Sequence, residues 1–462
     1  MKKIAVIGAG ITGNAAAWVL SKTHDVTLYE GRSRLGGHSA TVSIEHSGQQ
    51  MNVDTGFIVY NEHNYPLLTQ LFDHLQVETQ KSDMSFGVSI DDGKMEWSGQ
   101  GFGAVFAQRK NLFSPGFISM LREIFKFNAF CKEDLKSGAL CGHTFEEYLK
   151  HRNISDRLTQ DYLLPMTAAI WSTPAARMLD FPAESLVRFM DNHRLIHNKA
   201  ERPKWRTVTG GSKNYVSKLM SDYEGSFKIN SEVVSVQPIK TGPHNGKVEV
   251  KTKDGAMQHY DEVVMATHSD QSLKMLASPT ILEQEILGAI GYKPNKVYLH
   301  NDARLMPKRR AAWSAWNYLG NRVSNSQNSS DRESAQNGGS EISLTYWMNR
   351  LQNLDPSREV FVTLNPAKMP KEESIFGEYE YSHPQFCSNA LIAQKRLNEI
   401  QGKHNIWYCG AWTRYGFHED GLMSGLNVAN SLGAYAPWQK AEKNSFSLNF
   451  SKSAQPHDAQ KV

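Results

Sequence analysis

The 462-residue sequence contains no apolar run that approaches the roughly 18 to 20 residues of a membrane-spanning helix. Even the apolar stretch Leu163 to Trp171 is interrupted by Pro165 and Thr167. Basic residues number 51 against 47 acidic ones, a formal net charge of +4 without the clustered basic stripe of a nucleic-acid-binding protein. We therefore expect neither a transmembrane protein nor a nucleic-acid partner.

Cysteine is scarce in the sequence. The four cysteines, Cys131, Cys141, Cys387 and Cys409, show no CxxC motif and no Cys/His spacing typical of zinc, so we expect reduced thiols and no bound metal. The basic and then apolar start, Met1 to Ile7, is unlike a signal peptide because it runs directly into glycines with structural meaning. These observations predict a cytoplasmic globular protein.

The first thirty residues predict a βαβ unit. Lys3 to Ile7 and Val26 to Tyr29 are short apolar runs, and Ile11 to Leu20 between them favours a helix. Continuous apolar strands suit a parallel sheet that helices cover on both faces. From about Tyr65 to Asn198 the pattern becomes one of longer helical periodicity, and short strand-like runs return at Val233 to Val236, Val248 to Val250 and Glu262 to Ala266.

This order predicts an α/β protein with a discontinuous Rossmann-like domain and a mixed-sheet substrate domain that carries a helical subdomain. The first domain is predicted to comprise residues 1–64, 205–270 and 395–437, and the second residues 65–204 and 271–394. The polar segment 321–340 predicts a flexible surface loop, and residues 438–462 a polar tail.

A GxGxxG motif lies between the first strand and the first helix. Its first glycine permits the turn, its second lets a pyrophosphate approach, and its third packs the helix on the sheet, so that the helix N-terminus faces phosphate. An acidic residue at the end of the second strand can accept hydrogen bonds from ribose hydroxyls. NAD and FAD both remain open at this point. The predicted contacts are Gly8, Gly10, Ile11, Thr12, Gly13 and Glu30.

The next segment, Arg34-Leu35-Gly36-Gly37-His38-Ser39-Ala40-Thr41, resembles the RxGGRxxS/T motif of flavin-containing amine oxidases and phytoene desaturase-like proteins. In that superfamily the glycine pair brings backbone amides close to FAD, so the resemblance implies FAD. A histidine replaces the usual second arginine. The implied contacts are Arg34, Gly36, Gly37, His38 and Ser39.

A C-terminal segment resembles the last FAD motif of the superfamily. Trp407-Tyr408-Cys409-Gly410 ends a strand and leads through Gly421 and Gly425 into a helix, whose free amides are expected to face the flavin carbonyls. The chain has Ala411 where the family often has an acid. Cys409 is not in a flavin-linking context, so we expect non-covalent FAD. The implied contacts are Gly410, Ala411, Gly421, Leu422 and Met423.

Three more segments resemble parts of the same superfamily. They are the strand that pairs with adenine, the segment at which the chain leaves the FAD domain, and the segment under the isoalloxazine ring. The residues implied in these roles are Val234, Ala266, Thr55 and Gly56.

Other short segments, among them Met84-Ser85-Phe86, Thr209-Gly210-Gly211-Ser212 and Trp316-Asn317-Tyr318, look like a bacterial subgroup of predicted NAD/FAD-binding proteins. That subgroup is similar to the N-terminal flavoprotein region of plant cyclopropane fatty-acid synthases, and its relatives often accompany acyl-chain methyltransferases. The resemblance implies a hydrophobic or acyl-lipid substrate and a methyltransferase partner. We expect hydride transfer to flavin that desaturates or isomerises an unsaturated or methyl-branched fatty-acyl chain. A flavin amine oxidase and a non-catalytic flavoprotein scaffold are the alternatives.

The predicted catalytic residues are Lys296, His418 and Glu419. Lys296 lies in a context similar to the strand where amine oxidases keep a lysine that holds a water on the flavin, although a solvated lysine explains it equally well. His418 and Glu419 directly precede Gly421. Leu422 falls where amine oxidases place an aromatic cage wall, and a leucine lacks the π face that an amine prefers.

One helical stretch is a candidate for an acyl tunnel with a basic rim. Its basic residues could meet lipid head groups and give a peripheral membrane contact, whereas the alternative is a core helix with a solvated basic face. The tunnel candidates are Phe113, Phe117, Ile118, Met120, Leu121, Ile124, Phe125 and Phe127, and the basic residues are Arg109, Lys110, Arg122 and Lys126.

Overall fold

The computed structural model describes residues 1–171, 174–323 and 343–439. The predicted loop 321–340 lies outside the described residues except for its first three positions, and the predicted tail 438–462 except for its first two.

Five parallel strands form the sheet of the first domain. Four of its strands are largely buried, as expected for apolar runs covered on both faces, whereas the edge strand Ser226–Lys228 is exposed. The predicted βαβ start and the assembly of the sheet from distant segments are confirmed, while the exact domain boundaries stay a prediction. In spatial order the strands are Ser226–Lys228, Asp25–Tyr29, Lys3–Ile7, Glu262–Met265 and Ile406–Tyr408.

Helices cover one face of this sheet, and a second group of elements covers the other. The helices Ile11–Ser21, Pro66–His74, Lys213–Ser221 and His418–Ser431 share one apolar core with the sheet. On the other side an antiparallel sheet and three helices form a separate core. These elements are the strands Val233–Pro238, Val248–Thr252 and Met257–Tyr260, and the helices Ser269–Met275, Ile281–Gly288 and Ser388–Arg396.

A seven-stranded mixed sheet forms the centre of the second domain. Its strands are antiparallel except for the pair Trp316–Gly320 and Phe86–Ile90. The strands near residue 90 correct the expectation of continuous helical structure from Tyr65 onward, because Asp91, Asp92 and Gly93 adopt positive φ and turn the chain into a hairpin. In order the strands are Ile375–Gln385, Gly291–His300, Phe361–Leu364, Ser343–Trp347, Trp316–Gly320, Phe86–Ile90 and Met95–Ser98.

The remaining elements connect these layers or form the helical subdomain. Two small sheets comprise Thr41–His46 with Gln49–Asp54, and Tyr60–Asn61, Trp205–Val208 and Thr79–Lys81. The α-helices and one π-turn are Phe102–Val105, Pro115–Ser137, Phe145–His151, Asp156–Leu158, Thr159–Leu163, Leu164–Trp171, Ala183–Asn192 and Met348–Leu351. The 3-10 turns are Arg109–Phe113, Ala175–Asp180, Lys199–Glu201, Ala303–Leu305, Arg310–Ala312, Glu372–Ser374, Leu397–Glu399, Lys403–Asn405 and Ala411–Thr413.

The long helix Pro115–Ser137 is amphipathic. Ser114 caps its N-terminus by accepting a hydrogen bond from the Phe117 amide, and Gly138 ends it at a φ of 77°. Of the predicted tunnel residues, Phe117, Met120 and Phe127 are fully buried in the core, while Phe113 and Phe125 face solvent. The stretch is therefore a core helix with an exposed outer face, and a tunnel along it stays a prediction.

Buried Asp54 joins the two domains. Its carboxylate accepts hydrogen bonds from the Thr41 hydroxyl, from the amide and hydroxyl of Ser212, and from Gln352 Nε2 at 2.9 Å. The Asp54 amide in turn donates to Gln352 Oε1 at 2.9 Å. Burial raises the pKa of Asp54 to about 6, although these hydrogen bonds oppose that rise. These hydrogen bonds hold the chain in position directly before Thr55 and Gly56.

Candidate functional site

Several residues predicted to bind the cofactor follow the carboxyl ends of neighbouring parallel strands. Gly8, Glu30, Ala266 and Gly410 come after four adjacent strands of the five-stranded sheet. A crevice at the carboxyl edge of a parallel sheet is the usual position of a nucleotide site in this kind of fold. The topology thus brings residues from four distant parts of the chain to one edge.

The glycine loop has the geometry of a phosphate site. Gly8 has a φ of 99°, and a Cβ on Gly13 would lie 1.8 Å from the Gly8 carbonyl oxygen, so the helix is packed tightly on the strand. A Cβ on Gly10, in contrast, would meet no atom within 4 Å. No side chain caps this helix and its first turn contains no acid, which leaves its first amides available to an anion.

The Glu30 carboxylate is held beside this loop. Glu30 Oε2 accepts a hydrogen bond from the Ala9 amide at 3.0 Å, and Oε1 accepts one from the Arg32 amide at 2.9 Å. Each oxygen retains a lone pair for a further donor. This placement is suited to the predicted contact with ribose hydroxyls.

The second glycine pair packs against the first loop. The Gly36 amide donates to the Ala9 carbonyl at 2.7 Å, and a Cβ on Gly37, whose φ is 56°, would lie 2.9 Å from the Gly10 Cα. The Arg34 guanidinium donates to the Gly37 carbonyl at 2.9 Å and thereby braces the turn. Both glycines are thus required for the two loops to meet.

Three histidines and a tyrosine meet between the two domains. The ring of His38 lies 5.0 Å from that of Tyr381, 5.9 Å from that of His383 and 6.3 Å from that of His268. Burial and the proximity of the other imidazoles hold the pKa of His38 well below its usual range, and burial lowers the pKa of His383 to about 4. The cluster is therefore uncharged at neutral pH. His383 was not predicted from the sequence; it lies on the edge strand Ile375–Gln385 of the substrate sheet.

Thr55 and Gly56 continue the same wall. The Thr55 hydroxyl lies 2.8 Å from the Tyr381 hydroxyl and also donates to the Ala40 carbonyl at 3.2 Å. A Cβ on Gly56 would lie 2.2 Å from the His38 carbonyl oxygen, so only glycine permits this close approach.

The last glycine motif differs in detail from the expectation. Its helix begins at His418, three residues before Gly421, and the Gly421 amide already donates to the Phe417 carbonyl at 3.1 Å. The amides without an intrahelical acceptor are therefore those of His418, Glu419 and Asp420. Gly421 instead serves helix packing, because a Cβ there would lie 2.8 Å from the Thr12 hydroxyl oxygen.

One residue of this motif does not reach the crevice as predicted. Leu422 is fully buried in the core of the first domain, so it cannot form a wall against a substrate amine. The Met423 sulfur contacts Arg414 Nη1 at 3.3 Å. The phase of the helix directs Leu422 into the core, whereas Met423 is partly exposed and its contact with the cofactor stays a prediction.

Gly410 and its neighbours complete the crevice. The Gly410 amide donates to the Ser424 hydroxyl at 3.1 Å, and the Ala411 Cβ would lie 3.6 Å from a Cβ on Gly421. Cys409 is fully buried, and burial raises the pKa of its thiol. The thiol is thus neither exposed nor ionised, which agrees with non-covalent flavin.

His418 and Ser39, both predicted from sequence, lie in one hydrogen-bonded group. Tyr215, which the sequence did not single out, lies between them, with its hydroxyl 2.7 Å from His418 Nε2 and 2.5 Å from the Ser39 hydroxyl. Phe57 stacks on the imidazole at a centroid distance of 3.9 Å. Burial lowers the pKa of His418 to about 3, so the ring is neutral at physiological pH and is a poor general base.

Glu419 faces away from the crevice. Its two carboxylate oxygens accept hydrogen bonds from the Leu67 and Leu68 amides at 2.8 and 3.0 Å, at the start of the helix Pro66–His74. Burial raises its pKa to about 7, and the adjacent Asp420 adds to this effect. The contacts are those of a helix cap and give no support to a catalytic Glu419.

Lys296 is likewise turned outward. Its strand pairs with Ile375–Gln385 so that Asn295 lies opposite Tyr381, and Lys296 projects from the other face of the sheet. The Lys296 side chain is 67% exposed and lies 3.9 Å from exposed Glu378. The expectation of a lysine beside the flavin is therefore corrected by the strand alternation.

Val234 lies at an irregularity in its strand. The pairing register shifts between Val233 and Ser235, and the Val234 side chain is 41% exposed. A residue at such a bulge has backbone groups free of the ladder, as the predicted adenine contact requires.

A run of aromatic rings extends from the crevice into the helical subdomain. Phe417 lies 5.3 Å from Phe189 and 5.5 Å from His193, and Phe189 lies 4.7 Å from Trp171 and 6.0 Å from Tyr415. Burial lowers the pKa of His193 to about 4, so this ring is neutral as well. We call these five residues the aromatic run.

The crevice fits FAD. Its diphosphate fits the uncapped helix amides and the open space beside Gly10, and its ribose fits the Glu30 carboxylate. The neutral histidine cluster forms a wall at the domain junction together with Thr55 and Gly56. Within residues 1–171, 174–323 and 343–439 no three His, Cys, Asp or Glu side chains are arranged to hold a metal ion. In the same ranges no helix is long and apolar enough to cross a bilayer.

Several solved structures share the fold of this chain. A search of curated proteins finds no match to the chain. A fatty acid isomerase from P. acnes that produces CLA superposes with a TM-score of 0.63 at 15% identity, covering 94% of this chain and 98% of that one. A putrescine oxidase bound to putrescine superposes with a TM-score of 0.61 at 14% identity, covering 93% of this chain and 98% of that one. Cyclohexylamine oxidase from Brevibacterium oxydans superposes with a TM-score of 0.60 at 13% identity, covering 94% of this chain and 99% of that one.

These similarities concern the fold. The family described as flavin containing amine oxidoreductase matches residues 11–365, which is most of the chain. With the crevice described above, this match shows that the chain belongs to the flavin-containing amine oxidoreductase family and is an FAD-dependent oxidoreductase.

Proposed function

We propose that the enzyme desaturates or isomerises an unsaturated or methyl-branched fatty-acyl chain. The observation that carries this proposal is the aromatic run, which connects the FAD crevice to the helical subdomain by uncharged rings only. Phe189 and Trp171 are buried, while the partly exposed rings of His193, Tyr415 and Phe417 offer an apolar chain a contact at low desolvation cost. The fold shared with a fatty acid isomerase adds support.

The chemistry needs an activated carbon. FAD, when bound, supplies the hydride acceptor. An allylic C–H beside an existing double bond stabilises the positive charge that develops as hydride leaves, whereas an unactivated alkane carbon does not. In desaturation the neighbouring carbon then loses a proton to solvent or a protein base, and an external electron acceptor such as dioxygen must take the two electrons. In isomerisation the hydride returns to a different carbon of the same chain, so that no external acceptor is needed.

The protein residues orient the substrate and exclude water. Neutral His193 and His418 preserve the apolar character of the path, because neither imidazole carries a charge at pH 7. The Tyr215 hydroxyl fixes the His418 ring from one side and Phe57 fixes it from the other. No general base is required for hydride transfer itself.

Amine oxidation is the second candidate, and the structure strengthens it in one respect. Because Leu422 is buried, it no longer argues against an amine site. The partly exposed rings of Tyr415 and Phe417 supply the π faces that an amine prefers.

Anaerobic rapid mixing separates the two candidates. We expect unsaturated fatty acids or phospholipids to bleach the flavin absorbance, with products of shifted or added double bonds by mass spectrometry. Putrescine and cyclohexylamine should leave the flavin oxidised. Bleaching by amines alone would overturn the acyl proposal.

A matched pair of variants sharpens the comparison. Tyr415→Leu and Phe417→Leu keep apolar surface but remove the π face. For an acyl substrate we expect KM to change by no more than about threefold, since the lost contact is chiefly dispersion. For an amine we expect binding to weaken about 5- to 30-fold per ring, from about 1 to 2 kcal/mol of cation–π interaction.

An acyl-chain methyltransferase is the proposed partner, on the basis of the sequence resemblance alone. Co-purification of such an enzyme with the tagged protein tests it, and its absence from a crosslinked sample contradicts it.

A further inference from the structure

The helical subdomain exposes large aromatic side chains on one segment. Phe102, Phe113 and Phe125 are 71%, 87% and 72% exposed, and Leu112 is 37% exposed. The described residues include only one other phenylalanine among the exposed large hydrophobic side chains, Phe227 at 50%. Large exposed aromatic side chains grouped on one subdomain can mark a site of contact with another molecule or with a membrane. We call Phe102, Leu112, Phe113 and Phe125 the apolar patch.

The fold keeps the patch on the outside. The helix Pro115–Ser137 buries Phe117, Met120 and Phe127 in the core, so Phe125 projects from its outer side. Phe113 lies two residues before this helix, whose first residue, Pro115, is about 15 Å from Phe125 along the axis at 1.5 Å per residue. Phe106 connects Phe102 to this helix, because its ring lies 4.8 Å from that of Phe102 and 5.9 Å from that of Phe117.

Basic side chains accompany the patch. Arg109 and Lys110 precede Leu112, while Arg122 and Lys126 flank Phe125. Among the described residues none of these four forms a salt bridge. The nearby acid Glu123 is occupied, because it accepts hydrogen bonds from the amide and hydroxyl of Ser155. We call Arg109, Lys110, Arg122 and Lys126 the basic rim.

We propose that the apolar patch and basic rim dock the enzyme on the surface of an anionic lipid bilayer. Aromatic side chains enter the headgroup region, and unpaired Lys and Arg side chains meet anionic headgroups. A protein partner is a poorer fit, since lysine is depleted in the centre of protein interfaces and here lies among the rings. The docking deepens the proposed acyl chemistry by bringing the helical subdomain to the phase that holds acyl chains. It does not depend on that chemistry.

Vesicle flotation of the FAD-loaded protein tests the docking. We expect binding to vesicles of phosphatidylcholine mixed with anionic phosphatidylglycerol, and much weaker binding to phosphatidylcholine alone. Lys110→Gln with Lys126→Gln should weaken binding to the anionic vesicles about 30-fold, at about 1 kcal/mol per charge. Phe113→Ser with Phe125→Ser should weaken it at least tenfold, by loss of about 1.5 kcal/mol or more of apolar burial.

Controls of the same chemistry lie elsewhere on the surface. Ile281→Ser removes an apolar side chain that is 75% exposed, and Lys403→Gln removes an exposed charge. Both should bind like wild type. The proposal is overturned if wild type does not float, if neutral and anionic vesicles bind equally, or if the patch variants match the controls. It is also overturned if the patch instead mediates self-association that Phe113→Ser with Phe125→Ser abolishes. Flotation involves no turnover, so these failures leave the proposed reaction untouched.

Discussion

Two alanine substitutions in the glycine loop should separate cofactor binding from folding. The space beside Gly10 is open and its φ and ψ of −73° and −177° are accessible to alanine. The Cβ position of Gly13, in contrast, lies 1.8 Å from the Gly8 carbonyl oxygen. One methyl group therefore enters the crevice, and the other enters the interface of strand and helix.

Gly10→Ala should preserve the fold and weaken FAD binding. Replacing glycine by alanine at a helix N-cap costs about 1 kcal/mol or less. The methyl group displaces a phosphate from helix amides, and the loss of two charge-assisted hydrogen bonds at about 1.5 kcal/mol each raises Kd about 100-fold. Gly13→Ala forces the helix off the strand and should destabilise the protein by about 3 kcal/mol.

The assay is titration of flavin-depleted protein with FAD, followed by thermal unfolding of each variant. We expect Gly10→Ala to unfold near the wild-type midpoint while its flavin content falls. If Gly10→Ala keeps wild-type affinity for FAD, the crevice beside the loop does not hold the diphosphate and the assignment of the site is wrong.

Three further outcomes are expected. Burial raises the pKa values of Glu419 and Asp420 to about 7 and about 6, so the folded state binds more protons than the unfolded state. The free energy of unfolding should therefore fall as pH rises from about 4 to 7. Glu419→Gln should flatten this slope in pH-dependent unfolding, and an unchanged slope contradicts the burial argument. Lys296→Met should leave flavin reduction and reoxidation rates within about twofold, because the side chain faces solvent; a larger loss would show that the strand register differs. Gln352→Ala should cost about 2 to 3 kcal/mol in denaturant unfolding by leaving Asp54 without two partners, and a neutral result would show that water replaces them.

The sequence predicted the parts of the site that depend on local geometry. The glycine loops and Glu30 could be placed because each needs only a strand, a turn and a helix in succession. Lys296 and Leu422 could not, since the face that a side chain occupies depends on strand register and helix phase, and a shift of one residue reverses it. The cluster of His38, His268 and His383 was unpredictable for another reason: its members come from three segments that only the complete fold brings together.

The sheet register has a consequence for synthesis of the chain. On one side the first strand pairs with the strand Glu262–Met265, which is synthesised more than 250 residues after Ile4. At ribosomal rates of about 5 to 20 residues per second, that edge stays open for roughly 10 to 50 seconds. The strand Ile406–Tyr408 is added later still. Until Glu262–Met265 is synthesised, the apolar first strand lacks one of its two neighbours, so we expect the nascent N-terminal segment to need protection from aggregation during synthesis.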